Sequence, residues 1–189
     1  MRNDFSTMED LTEEECVKVF DQMGKPRFWI MKGECLFRAA TLLHAQQEQD
    51  GLPRSVKNPK TQKWEIVFNS GMPSLTNPCW YMSAATIEIV LKAIILQEHP
   101  EYLQNGQLDK KLHTHDLNKL AKIGDVMLTK EDEDFCLVGS RSLEDWGKYP
   151  IPKRTRPASS SVLSPNSPDV FINFYNRLLK KYNEKSDSK

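Results

Sequence analysis

Residues Cys79 to Glu98, CWYMSAATIEIVLKAIILQE, contain no Gly or Pro and are apolar almost all the way round a helix. Ala84, Ala85, Ile87, Val90, Leu91, Ala93, Ile94, Ile95 and Leu96 would clothe most of its surface. A helix apolar on every side belongs at the centre of a protein or in a membrane. Glu88 and Lys92 interrupt this run, so no stretch of about eighteen uncharged apolar residues is left to span a bilayer. The segment reads as a core helix with an internal Glu–Lys pair, no membrane is expected, and the rest of the chain must cover it.

At 189 residues the chain is long enough for one domain with a real core. Twenty-six Lys and Arg balance twenty-six Asp and Glu, which argues against a protein held to nucleic acid mainly by bulk positive charge and leaves open a local patch. DNA is not expected as a partner. Cys16, Cys35, Cys79 and Cys136 are far apart and form no C-x-x-C pair. That spacing argues against a zinc site or a disulfide framework and makes a reducing cytoplasm the default setting. The first ten residues, MRNDFSTMED, lack the apolar core of a signal peptide.

Thr12 followed by Glu15 has capping-box spacing and opens a short helix in the N-terminal segment 1–26, which Gly24-Lys25-Pro26 ends. Arg27 to Gln49 carries Phe28, Trp29, Met31, Leu36, Phe37, Ala40, Leu43 and Ala45 at helical spacings and is read as a long helix. Gly33 inside it costs about 1 kcal/mol relative to Ala unless close packing requires it. Asp50 to Pro78 is rich in Gly and Pro and is read as a long loop between the first two core helices. It holds one short strand or packed extended segment, Trp64 to Phe68, and serves as a cover over the bundle end or as a binding flap.

After the central helix, residues 100–113 are expected to form a polar connection around Asn105-Gly106. Thr114 to Ile123 reads as a short helix capped by Thr114 or His115, with Gly124 as its stop. Thr129 to Asp132 repeats the capping box with Asp in place of Glu and starts a helix ending near Trp146-Gly147. Residues 153–167 form a Ser/Pro linker. Pro168 then opens an amphipathic C-terminal helix, 168–189, expected to pack on the bundle through Val170, Phe171, Phe174, Leu178 and Tyr182. Residues 147–189 hold nine Lys or Arg against three Asp or Glu, an excess of six. A basic tail docking an acidic partner is therefore one candidate activity, with truncation after Pro152 expected to leave a folded core.

Glu88 and Lys92 lie four apart on one helix face in the favourable order. If buried, each needs the other, either as an ion pair fixing helix register or as a ligand-facing pair in a cleft. His113-Thr114-His115-Asp116 matches fragments of metal sites but lacks the third and fourth ligands that zinc requires. No metal or cofactor is expected, and the His115 ring is read as bonding a buried carboxylate. There is no G-x-S-x-G, P-loop or dinucleotide fingerprint.

The central helix with Glu88 and Lys92-Ala93, then His115-Asp116-Leu117, then Trp146-Gly147-Lys148-Tyr149-Pro150, resembles in order and spacing the HEPN superfamily over residues 27–152. The resemblance implies an all-α fold, an up-and-down bundle of about four to five helices, often paired as a homodimer. It implies binding of a partner protein or a nucleotide- or RNA-like ligand at a cleft formed by Glu88, Lys92, His115, Trp146, Lys148 and Tyr149. Trp146 and Tyr149 would offer stacking faces and Lys148 a charge for phosphate; their plain alternative is core packing with a bonded polar tip. Many members are metal-independent ribonucleases with an R-x(4–6)-H motif near the last core helix. This chain departs there, since no His follows Arg141, Arg154 or Arg156. Arg38 to His44 fits the pattern in the first long helix, but six residues turn through about 240° and point the side chains apart. The catalytic alternative would therefore rest on Arg38, His44 and His115 as a divergent site.

Overall fold

The structure is a computed structural model and describes residues 12–51, 54–67, 75–146 and 168–186. It is all-α, with six α-helices and two small antiparallel hairpins among the described residues.

Helix α1 spans Glu13–Met23. Its capping box is complete: Glu15 N–H donates to Thr12 Oγ1 at 3.3 Å and Thr12 N–H donates to Glu15 Oε2 at 2.8 Å. None of its residues is buried. Helix α2, Pro26–Asp50, starts on a proline whose missing N–H would have had no helical partner anyway. Its buried positions, Gly33, Ala40, His44 and Gln47, fall on one face. A β-carbon at Gly33 would stand 2.9 Å from Val90 Cγ2, so only glycine permits so close a crossing with the central helix.

The segment after α2 corrects the sequence reading of one strand in a loop. Strands β1, Arg54–Lys57, and β2, Trp64–Val67, pair antiparallel, with Arg54 opposite Val67 and Lys57 opposite Trp64.

Helix α3, Thr76–Glu98, begins three residues before Cys79 and takes Pro78 into its first turn, where proline is tolerated. It packs against α2 and three later helices, and Ala84, Ile87, Val90, Leu91, Ala93, Ile94 and Ile95 are wholly inaccessible. Its length and apolarity would suffice to cross a bilayer, but 78% of its most apolar window is buried inside the protein.

Beyond α3, a 3₁₀ turn at Pro100–Tyr102 leads into strands β3, Leu103–Gln104, and β4, Gln107–Leu108. The expected plain connection is thus a hairpin. Asn105 at φ 52° and Gly106 at φ 69° make the two-residue turn with both central residues left-handed, for which Asn-Gly is the preferred pair. A second 3₁₀ turn, Lys110–Leu112, follows.

Helix α4 runs only from Leu117 to Ile123, not from Thr114. Asp116, rather than Thr114 or His115, is its cap, accepting from Lys119 N–H at 3.0 Å, while Thr114 Oγ1 accepts from Asp116 N–H at 3.1 Å. Aspartate wins because a carboxylate is the stronger acceptor for the exposed amides of a first turn.

Helix α5, Lys130–Arg141, starts on the Thr129–Asp132 capping box and passes into a π-helical turn, Ser142–Trp146. A β-carbon at Gly139 would lie 3.1 Å from both Ala84 Cβ and Leu117 Cδ1, which brings α5 tight onto α3 and α4.

Helix α6, Pro168–Ser186, is part of the core. Phe171, Phe174, Tyr175 and Leu178 are buried, with Tyr175 stacked on Phe37 at 4.0 Å between centroids. Three cations at successive four-residue steps pin its outer edge: Arg177 to the Asp132 carboxylate, Lys181 to the Asp125 carbonyl and Lys185 to Glu98. The C-terminal helix is therefore no detachable basic tail, and truncation after Pro152 would strip the core. Deleting residues 168–189 should give a chain without a cooperative urea transition. Phe171→Ala should destabilise the intact chain by about 3–5 kcal/mol in the same measurement.

Candidate ligand-binding site

Glu88 and Lys92 lie one turn apart on α3, each side chain only 9% exposed. Lys92 Nζ donates to Glu88 Oε1 at 2.6 Å. The second carboxylate oxygen, Oε2, faces His115 Nδ1 at 2.9 Å. A carboxylate that holds an ammonium offers acceptors only, so Nδ1 is the ring nitrogen that carries hydrogen. Nε2 is left over, on a side chain 46% exposed. The arrangement runs from a buried cation through a buried anion to an imidazole at the surface.

Local structure holds His115 in place. It sits two residues before α4, between the Thr114 hydroxyl that accepts from Asp116 N–H and the Asp116 cap itself. Leu117 N–H donates to Ser140 Oγ at 2.9 Å, and Ser140 Oγ donates to the Cys136 carbonyl at 2.6 Å, which anchors the start of α4 to α5. Helix α3 thus supplies the ring's carboxylate, while the residues leading into α4, anchored to α5, set its backbone.

The other candidates are placed differently. Arg38 is exposed, whereas His44 is 8% exposed and turned into the core, so the α2 pair does not converge. His44 Nε2 lies 3.0 Å from Ser83 Oγ, and the ring stacks on Phe171. A histidine beside a serine is the geometry of an activated nucleophile, but Ser83 is completely inaccessible, and the pair acts as a satisfied polar contact between α2 and α3. Burial pushes the His44 pKa below its ordinary value, which keeps the ring neutral. Trp146 closes the π-helical turn by its backbone; its side chain, Lys148 and Tyr149 lie outside the described residues. Among the described residues no group of three His, Cys, Asp or Glu side chains comes together as a metal cage would need.

Two polar contacts made by α2 escaped the sequence reading. One is His44–Ser83, and the other is Gln47 Nε2 donating to Thr76 Oγ1 at 3.1 Å. The signal was present in α2, where His44 and Gln47 continue the line of Gly33 and Ala40. Polar side chains on a buried face demand partners on the helix opposite. No family model, curated protein or solved structure matches the chain.

Glu88→Gln should leave the Lys92 ammonium buried without its counter-charge and cost roughly 3–5 kcal/mol in urea unfolding. The joint replacement Glu88→Leu, Lys92→Met should lie closer to the native stability than that single change. His44 gives a pH prediction of definite sign. Its folded value lies below the ~6.5 of a free imidazole, so beneath that pH the unfolded chain takes up a proton that the folded one does not. Stability is unaffected above ~6.5, falls as pH drops towards the folded value, and levels off below it. His44→Gln should lose less stability between pH 7.5 and pH 5 than the native chain.

Proposed function

We propose that the chain is a HEPN-like helical bundle, arranged up and down and paired as a homodimer, that binds a nucleotide- or RNA-like ligand without transforming it. One observation carries this reading. Glu88, Lys92 and His115, which stand in the order of the family's motifs, converge through two hydrogen bonds on one carboxylate. The couple on α3 fixes the ring, and the exposed Nε2, an acceptor in this tautomer, gives a donor on a ligand base or ribose a directional contact. An imidazole already oriented by a buried acceptor loses little freedom on binding, which favours affinity.

The same geometry supports a second reading, a metal-independent ribonuclease. An imidazole aligned by a carboxylate on Nδ1 is the arrangement of a general base, with Nε2 free to take a proton from a ribose hydroxyl. Docking of an acidic partner on the basic C-terminal segment is less favoured, because its cations Arg177, Lys181 and Lys185 are engaged within the fold.

Thermal unfolding with a panel of nucleotides and short RNAs tests the binding reading. A ligand at about a hundred times its Kd adds about 2.7 kcal/mol, a rise of about 5–10 °C for a chain of this size. The rise should vanish in His115→Ala, whose own melting temperature should differ little from the native one. No shift with any member of the panel counts against binding. RNA cleavage in the presence of EDTA, lost in His115→Ala, would replace it with the ribonuclease reading.

A further inference from the structure

A concave surface that does not include His115 lies where the end of α1 meets the β3–β4 hairpin. It is a groove of about 610 Å³, within the size range of small-molecule sites. Phe20 and Met23 from the last turns of α1 form one wall, Leu103 and Leu108 from the hairpin the other, and Trp29 of α2 contributes its indole. The one polar atom of that indole is used internally, since Nε1–H donates to the Gly24 carbonyl at 3.0 Å, so the ring meets the groove as an apolar surface.

Sequence explains why the groove exists. A β-carbon at Gly24 would come within 2.1 Å of Leu103 Cδ2, so the bare glycine leaves room for the Leu103 side chain against the end of α1. Asp21 Oδ1 accepts from Gly106 N–H at 3.2 Å and ties the two elements together below the opening. Helix α1 buries none of its residues, and Phe20 and Met23 remain 41% and 60% exposed. Two large apolar side chains are thus held at the mouth of a concave surface that the described residues do not fill.

The polar end of the groove has one sign of charge. Lys110 and His113 are three residues apart across the 3₁₀ turn, and residues at that spacing stack on one side of such a turn. Both are exposed, and among the described residues no hydrogen bond or ion pair occupies either side chain. Among the described residues no acidic side chain lines the groove. Apolar walls with a cation at one end are complementary to a ligand with the opposite arrangement.

We propose that this groove binds a small organic anion, an aromatic or alkyl body of drug-like size bearing one carboxylate, sulfonate or phosphate. The body lies between Met23, Trp29 and Leu108, and the anionic head meets Lys110 and His113. The site shares no residue with the His115 site, so either can fail without the other.

The test is fluorescence titration of the full chain with 1-anilinonaphthalene-8-sulfonate, alongside the neutral N-phenyl-1-naphthylamine. The sulfonate should bind saturably at one equivalent and be displaced by decanoate more effectively than by decanol. Met23→Glu should weaken both probes by about tenfold or more. Lys110→Glu should weaken the sulfonate by about tenfold and leave the neutral probe unchanged. Both positions are exposed, so the melting temperature should stay native, and His115→Ala should bind like the native chain. Non-saturable binding, titrations indifferent to Met23→Glu, or equal effects of Lys110→Glu on the two probes would each overturn the proposal. So would a dimer, seen by sedimentation, that Met23→Glu dissociates, because the groove would then be filled by a second copy.

Discussion

A helix that is apolar on all sides cannot be left at a surface, and α3 imposes that condition on every other element. Each face of it requires its own cover, and the chain supplies α2, α4, α5 and α6 in turn. Covering a cylinder completely requires close approach, and close approach requires small residues where backbones come together. Gly33 meets α3 at Val90, and Gly139 meets it at Ala84. Larger side chains would hold the helices apart and open voids that cost about 1 kcal/mol for each missing methyl group.

The same burial governs the charges. Glu88 and Lys92 occupy the buried helix only because each neutralises the other, and the remaining lone pairs of Glu88 reach outward to His115. Asp132 is treated alike. It is 1% exposed, closes the α5 capping box with one oxygen and receives Arg177 with the other. Burial also sets the thiols apart, pushing Cys79 up to about 11 and Cys136 up to about 12, while Cys16 and Cys35 remain at the surface. A thiol held that far above neutrality is not a nucleophile, so the two core cysteines serve packing.

The site and the scaffold are therefore one structure seen from two ends. The inner end is an ion pair within α3, and the outer end is an imidazole whose tautomer the shared carboxylate dictates. Removing the inner charges would not merely weaken the core; it would release the ring from the orientation on which any contact with a ligand rests.

Local features were legible in the residues themselves. The all-round apolar run, the two capping boxes, Pro168 at a helix start and the four-residue spacing of Glu88 and Lys92 are short-range facts, decided within a turn or two of chain. The Asn105-Gly106 hairpin was written just as locally and was missed, because its strands are only two residues long and carry no alternation. What no local pattern could decide were meetings across long separations: Glu88 with His115, His44 with Ser83, Arg177 with Asp132. Those depend on how far each helix is rotated about its own axis when packed, which is set by the summed contacts of all its neighbours. The sequence by itself determined that α3 would be helical and enclosed; only the packing of the other helices decided that its buried couple would reach the surface through a single histidine.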